Sequence, residues 1–549
     1  MKSARHAATT HATIVFSVSD LSGRALDADA SAHALGGGEA TTGLQPLQRF
    51  GDGAVSGAAV IIGAKILAML VSLVTVAIVA RILTPADYGL VAMVLSVTAF
   101  LAVFSDLGLS YVTIQRPNIT QEQLSALFWA NIAFGGLLGA VTAALAPALV
   151  WFYHDARLLP VTVLLAAVFP IAAAGVQHQA LLKRRMLFRR YALTQLTGTG
   201  AGAIVSIAMA LAGAGYWALA CQSLVTVLAS SLSAWLHLRW LPGPPRRCPE
   251  LRAMLGFGGR LTAHGMVGYL ETNLDKLLLG RFCGPYALGL YATSYHLVGR
   301  VVGLAAYNVG EAAIPAMARA STTVAGPRPT YRRMLQLTCL LGLPAALAGV
   351  LWTDDVVLTV FGNRWQPAAP ILRLLFIGAL PRMLAASTGW VFVAGGRPGR
   401  MLRWELIQAP LIAVAFIVAL PYGAYGVAWA YALANWIAFV PAFAYCFRGS
   451  PFHARDVLVP AGASLICALF AGLATALVRL LLPLQVAPGA LSLMVSAAFF
   501  TVFYGASSLI CVPLAREVLH KALSCARAWA GCSARLPAMI APLKTIAED

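Results

Sequence analysis

From Gly57 to about residue 514 the chain is a succession of apolar blocks separated by short polar stretches. A helix needs about 20 apolar residues to cross a ~30 Å hydrocarbon core. Fourteen segments reach that length: 57–80, 88–113, 124–150, 158–181, 191–213, 216–238, 254–280, 285–314, 334–353, 367–393, 401–421, 423–446, 457–482 and 489–514. They lack the period-two alternation of membrane barrel strands. The expected fold is an all-α polytopic integral membrane protein with about fourteen transmembrane helices. Residues 1–56 have no comparable apolar run and read as a disordered cytoplasmic tail.

Composition sharpens this. The chain of 549 residues is 60% hydrophobic and 11% charged, with a mean hydropathy of +0.78. Ordinary soluble domains carry roughly 25% charged residues, so a water-soluble enzyme is excluded. The net charge of +19 would suggest nucleic acid in a soluble protein. Here the arginines concentrate in alternate short loops: 19 Lys and Arg on one side and five on the other. That is positive-inside topology, not nucleic-acid binding. It places the Arg-rich loops, such as 183–190 and 397–403, and both termini on the cytoplasmic side. The nine cysteines form no CxxC pair, so neither a disulfide framework nor a metal site is expected. No GxxxxGK[ST] loop occurs and no outer loop is long enough for a catalytic domain, so no cofactor and no enzymatic activity are expected.

An internal repeat divides the chain. Ala80–Ala92 (ARILTPADYGLVA) and Gly280–Ala292 (GRFCGPYALGLYA) match at Arg81/Arg281, Pro85/Pro285, Gly89/Gly289, Leu90/Leu290 and Ala92/Ala292, a constant offset of 200. The organisation this implies is a tail (1–56), two six-helix halves (57–240 and 241–450), helices 13 and 14 (451–514) and a C-terminal cytoplasmic tail (515–549). Parallel repeats around a midplane site are the logic of alternating-access transporters.

The runs RILTPADYGLVAM (81–93), DLGLSYVTIQR (106–116), LSALFWANI (124–132) and 257–297, above all Asn273-Leu-Asp-Lys-Leu-Leu-Leu-Gly-Arg281 followed by Leu288-Gly-Leu-Tyr291, resemble polysaccharide flippases of the MOP superfamily. The similarity is to the Wzx-type, colanic-acid-exporter-like branch of lipopolysaccharide biosynthesis proteins. What the resemblance implies is movement of a polyprenyl-diphosphate-linked oligosaccharide across the inner membrane. The partners it implies are that substrate, membrane lipids, and a polysaccharide polymerase with export machinery.

Ionisable residues at membrane depth cost about 2.5–3.5 kcal/mol on insertion scales, so each one asks for a reason. At 100° per residue, Arg260, His264, Glu271 and Asp275 fall within about 60° of one another. His296, Arg300, Tyr307 and Glu311 form a similar stripe on the next span. Arg382 and Lys65 are also deep, and Arg373 lies nine residues before Arg382. A diphosphate suits the planar, permanently charged fork of arginine. Candidate substrate contacts are therefore Arg260, Arg300, Arg382 and Lys65. Candidate lumen or coupling groups are His264, Glu271, Asp275, His296, Glu311 and Asp106. Each of these cations also has a structural reading, as a helix-locking ion pair or a snorkelling side chain. The alternative function is a cation-coupled multidrug exporter of the same superfamily, which would favour an acidic, aromatic lumen over a basic one.

Overall fold

The computed structural model describes residues 47–105, 108–115, 119–245, 251–324, 326–481 and 489–520. Asp106 and the side chains of Arg260, His264, Glu271 and Tyr307 lie outside what is described. The described residues are helical, with no strand among them. The first half comprises α1 (Leu47–Ile82), α2 (Pro85–Ala102), the short α3 (Leu109–Gln115), α4 (Gln121–Ala144), α5 (Ala146–Tyr153), α6 (Leu158–Ala166), α7 (Val168–Arg184), α8 (Phe188–Leu211) and α9 (Trp217–His237). Next come α10 (Leu251–Ala320), α11 (Arg328–Leu351), α12 (Thr353–Val356), α13 (Ala368–Ala394), α14 (Pro398–Ala419), α15 (Gly423–Phe447), α16 (Arg455–Leu481) and α17 (Gly489–Cys511).

Eleven stretches among the described residues are long and apolar enough to cross a membrane. The 50-residue stretch Pro398–Phe447 contains two helices, α14 and α15, and α10 lies outside the eleven. The protein is a multi-pass membrane protein. Its surface agrees: Leu411, Ile437, Leu473 and Leu480 are 67–74% exposed, the reverse of a water-soluble globule. Helix limits differ from expectation where polar residues extend a helix past its apolar run. Thus α1 begins at Leu47, ten residues before the expected span. The expected span 88–113 is instead α2 followed by a turn and α3.

The two repeat motifs bend the chain by different chemistry. In the first, Thr84 caps α2. Its hydroxyl accepts from the Asp87 amide, and the Asp87 carboxylate accepts from the Thr84 amide, with Pro85 opening the helix. In the second, Gly284 takes φ 78° inside α10, a left-handed conformation that favours glycine, and Pro285 restarts the helix. α10 is therefore two arms, 251–283 and 285–320.

α2 packs on α10, joining the halves through one continuous core that includes Leu90, Met93, Leu279, Leu288, Tyr291 and Trp365. Away from this seam, α8 packs on α9 and α1, and α13 on α15 and α10. The fully buried Asp456 at the start of α16 receives Arg328 Nε at 2.7 Å and tethers α16 to α11. Arg332 Nε lies 3.7 Å from the same carboxylate, so two arginines near the start of α11 make this contact.

Candidate functional site

The Arg-poor end of the bundle is closed by the repeat itself. Gly89 lies against the Pro285 carbonyl, and Gly289 against the Pro85 carbonyl, each too close for a Cβ. The conserved spacing within the two motifs is thereby explained: proline turns each helix and glycine, one turn later, lets the other copy's backbone in. The two arginines each reach to the opposite half. Arg81 donates to the Thr359 carbonyl, and the Arg281 guanidinium sits 5.7 Å from the Phe152 ring centroid. The buried Trp365 indole donates to the Ala80 carbonyl at 2.8 Å and meets Tyr88 edge-on.

Directly behind this closure lies a cavity of about 430 Å³ between the halves. One wall, from α1, α2 and α9, is apolar or neutral: Leu73, Thr75, Val76, Ser96 and Gln222. The facing wall, from the two arms of α10, carries Asn273, Lys276, His296 and Arg300. Among the described residues, no carboxylate lines this cavity and no hydrogen bond or ion pair engages Arg300. A second chamber of about 500 Å³ lies within the second half. It shares Asn273, Lys276 and His296 with the first and adds Arg382, Trp404, Glu405, Gln408 and Tyr431.

Lys276 stands at the junction. It is 4% exposed. Its ammonium donates to Asn273 Oδ1 at 3.0 Å, lies 3.7 Å from Asp275 Oδ1, and sits 4.1 Å from the Tyr295 ring centroid. Asp275 in turn accepts from the Tyr291 hydroxyl at 2.7 Å. The Lys276 amine is thus held by a carboxylate, an amide oxygen and a π-face.

The family model for polysaccharide biosynthesis proteins matches residues 78–370, from the first repeat motif through the second to the start of α13. The chain belongs to this family. Relatives of this polysaccharide biosynthesis protein include the teichuronic acid biosynthesis protein TuaB of Bacillus subtilis, 28% identical over 62% of this chain and 72% of its own. The lipopolysaccharide biosynthesis protein WzxC of Escherichia coli is 25% identical over 63% and 71%. The succinoglycan biosynthesis transport protein ExoT of Rhizobium meliloti is 25% identical over 64% and 70%. The fold is similar to that of the lipid II flippase MurJ in an inward closed conformation, at TM-score 0.64 and 12% identity over 84% of this chain and 99% of the other. It is also similar to an inward-facing multidrug resistance MATE transporter of the MOP superfamily, at TM-score 0.59 and 14% identity over 70% and 94%.

The residues singled out from the sequence of this family member are distributed unevenly. Arg300 and His296 line the central cavity, and His296 with Arg382 lines the second chamber, where Arg382 lies 5.8 Å from the Tyr431 ring centroid. Lys65 and Glu311 are exposed and line neither chamber. Asp275 is buried and lines a small pocket beside Arg382 and Tyr431 instead of the lumen. Arg373, grouped with the deep cations by spacing, pairs with Asp354 at the Arg-poor end.

Lys276 was not among the candidates. It falls about 100° round the helix from Asp275, outside the polar stripe that directed attention to this span. A wheel groups residues by face but does not say which face meets the lumen. The available signal was a lysine in the middle of an apolar run, inside the motif Asn273–Arg281.

Proposed function

We propose that this protein flips polyprenyl-diphosphate-linked oligosaccharide units across the bacterial inner membrane by alternating access. The observation that carries the reading is a lumen whose charged groups are cationic on one wall, lying directly behind a closed end, in a polysaccharide biosynthesis family member. Lys276 and Arg300 would hold the diphosphate. Arg300 supplies the bidentate fork, and Lys276 a point charge already fixed by Asp275 and Asn273. The second chamber would receive sugar, its Trp404 and Tyr431 rings covering apolar ring faces and Glu405 and Gln408 meeting hydroxyls. The polyprenyl tail would remain in lipid. That the described lining of the central cavity carries cations and no carboxylate supports an anionic substrate over a cationic drug.

In this reading the Arg-rich loops and both termini are cytoplasmic. The closed end is then the periplasmic exit, and the structure is the stage that loads from inside. Counting α14 and α15 separately and each arm of α10 as a span gives fourteen spans, arranged as 57–240, 241–450 and the appended 451–514. A polysaccharide polymerase and export machinery would take the product.

The test is polymer output in a deletion strain carrying Arg300→Lys or Arg300→Gln at matched membrane levels. Output should fall from wild type to Lys to Gln, the last by at least about tenfold. Glu311 does not line the cavity, so adding Glu311→Gln should not restore output. Restoration would make Arg300 a structural ion pair and sink its substrate role.

A further inference from the structure

A third cavity, of about 690 Å³, lies outside the lumen. It is formed by the α7–α8 turn and the chain leaving α9, at the opposite end of α9 from the lumen residues Leu219 and Gln222. Three arginines line it, Arg185, Arg190 and Arg239, and among the described residues no carboxylate does. Two neighbouring basic residues are engaged elsewhere. Lys183 sits over the Tyr191 ring at 4.6 Å, and Arg184 donates to the Thr113 carbonyl at 2.7 Å. Arg190 spends one N–H on the His237 carbonyl at 3.0 Å. Arg185 and Arg239 have no hydrogen bond or ion pair among the described residues.

The walls are fixed in place. The Trp240 indole donates to Gln121 Oε1 at 2.7 Å, Gln121 Nε2 donates to the Leu241 carbonyl at 3.0 Å, and His178 Nε2 meets the Trp240 carbonyl at 3.0 Å. Met186 holds a left-handed φ of 55°, turning the chain sharply enough to place Arg185 and Arg190 on one cavity. An arginine that serves topology alone needs only to lie at this end of the bundle. A walled cradle of three, with no carboxylate among its described lining, is more than that requires. From it, Leu236, Leu232 and Leu228 run back along α9 at helical spacing, 68%, 58% and 47% exposed. The mean direction of their face is roughly 130° from that of Leu219, Gln222 and Ser223, the lumen residues of the same helix.

We propose that this cradle binds the phosphate headgroup of a resident anionic phospholipid, with its acyl chains along Leu228, Leu232 and Leu236. Phosphate takes the guanidinium fork, and the leucine stripe continues from the cradle as an acyl chain does from its headgroup. The position faces bilayer and not lumen, which selects the resident lipid over the transported one. The assignment stands whether or not the transport reading does.

The full-length protein in neutral detergent is titrated with phosphatidylglycerol or phosphatidylcholine, and thermal unfolding is followed. Phosphatidylglycerol should raise Tm and phosphatidylcholine should not. Arg185→Gln with Arg239→Gln should weaken the phosphatidylglycerol effect by about thirtyfold in concentration. Arg189→Gln, in the same loop but outside the cavity, should leave it unchanged. Arg239→Lys, which keeps charge without the fork, should fall between. An undiminished response in the double variant, or equal loss from Arg189→Gln, would reduce the effect to general surface charge and overturn the site. If the double variant does not fold, Arg239→Lys decides: no weakening overturns it. Inorganic diphosphate or a short-chain polyprenyl diphosphate matching phosphatidylglycerol, with the same arginine dependence, would overturn the choice of ligand.

Discussion

The closed end and the lumen use the same repeat in opposite ways. At the closure the two copies are nearly interchangeable: Pro85 and Gly89 meet Gly289 and Pro285 reciprocally, and Arg81 and Arg281 each cross to the other half. A few residues further into the bundle, the same positions still line the cavity but carry different chemistry. At the offset of 200, Leu73 corresponds to Asn273, Val76 to Lys276, and Ser96 to His296, and all six line the central cavity. Phe100 stands where the second half has Arg300. Backbone packing between two reciprocal copies of one motif demands the same small residue on both sides, because each copy is the other's partner. A ligand with a charged headgroup at one end has no such symmetry, so the walls around it are free to diverge.

The largest expected effect separates Lys276 from its counterpart. Lys276→Met leaves Asp275 buried beside a lost charge and should cost about 3–5 kcal/mol. Val76→Met at the same offset should cost less than about 1.5 kcal/mol. Thermal unfolding of the purified variants measures both, and similar losses would mean that the two walls are not energetically distinct. At the closure the opposite result is expected. Gly89→Ala and Gly289→Ala should each destabilise the closed end by about 1–3 kcal/mol, and by similar amounts. The readout is labelling of a single cysteine placed near Tyr88 by a membrane-impermeant reagent from the Arg-poor side, which should rise in both. A response in only one variant would break the reciprocity.

The smallest effect lies in the turns at the Arg-poor end, where Asp155 and Asp355 stand at the same offset. Asp155 pairs locally with Arg157 at 2.7 Å, whereas Asp355 holds Arg479 of α16 at 2.7 Å. The hydrogen bond from Arg157 lowers the Asp155 carboxyl below its ordinary value. Its stabilisation is therefore fully present above the usual Asp pKa of about 3.9 and fades as pH falls below it. Asp155→Asn should cost no more than about 0.5 kcal/mol above that pH. Asp355→Asn should cost more, because it releases α16. Equal values from pH-dependent unfolding would show that the appended helix gains nothing from the pair.

What this sequence determined alone was the class of fold and the presence of a repeated motif. Lipid cannot satisfy backbone polar groups, so long apolar runs have to be helices. The motif pair at Arg81 and Arg281 disclosed the repeat because the same backbone approach constrains both copies. Arg300, His296 and Arg382 were legible as site candidates from depth alone, since an ionisable group there is costly without a task. Tertiary packing decided the rest. It turned Asp275 toward Tyr291 and Lys276 toward the lumen, gave Arg373 to Asp354, and left Lys65 and Glu311 outside both chambers. Helical periodicity is a property of neighbours along one helix. Which face becomes a wall of the lumen depends on contacts between helices far apart in the chain, and no local pattern carries that.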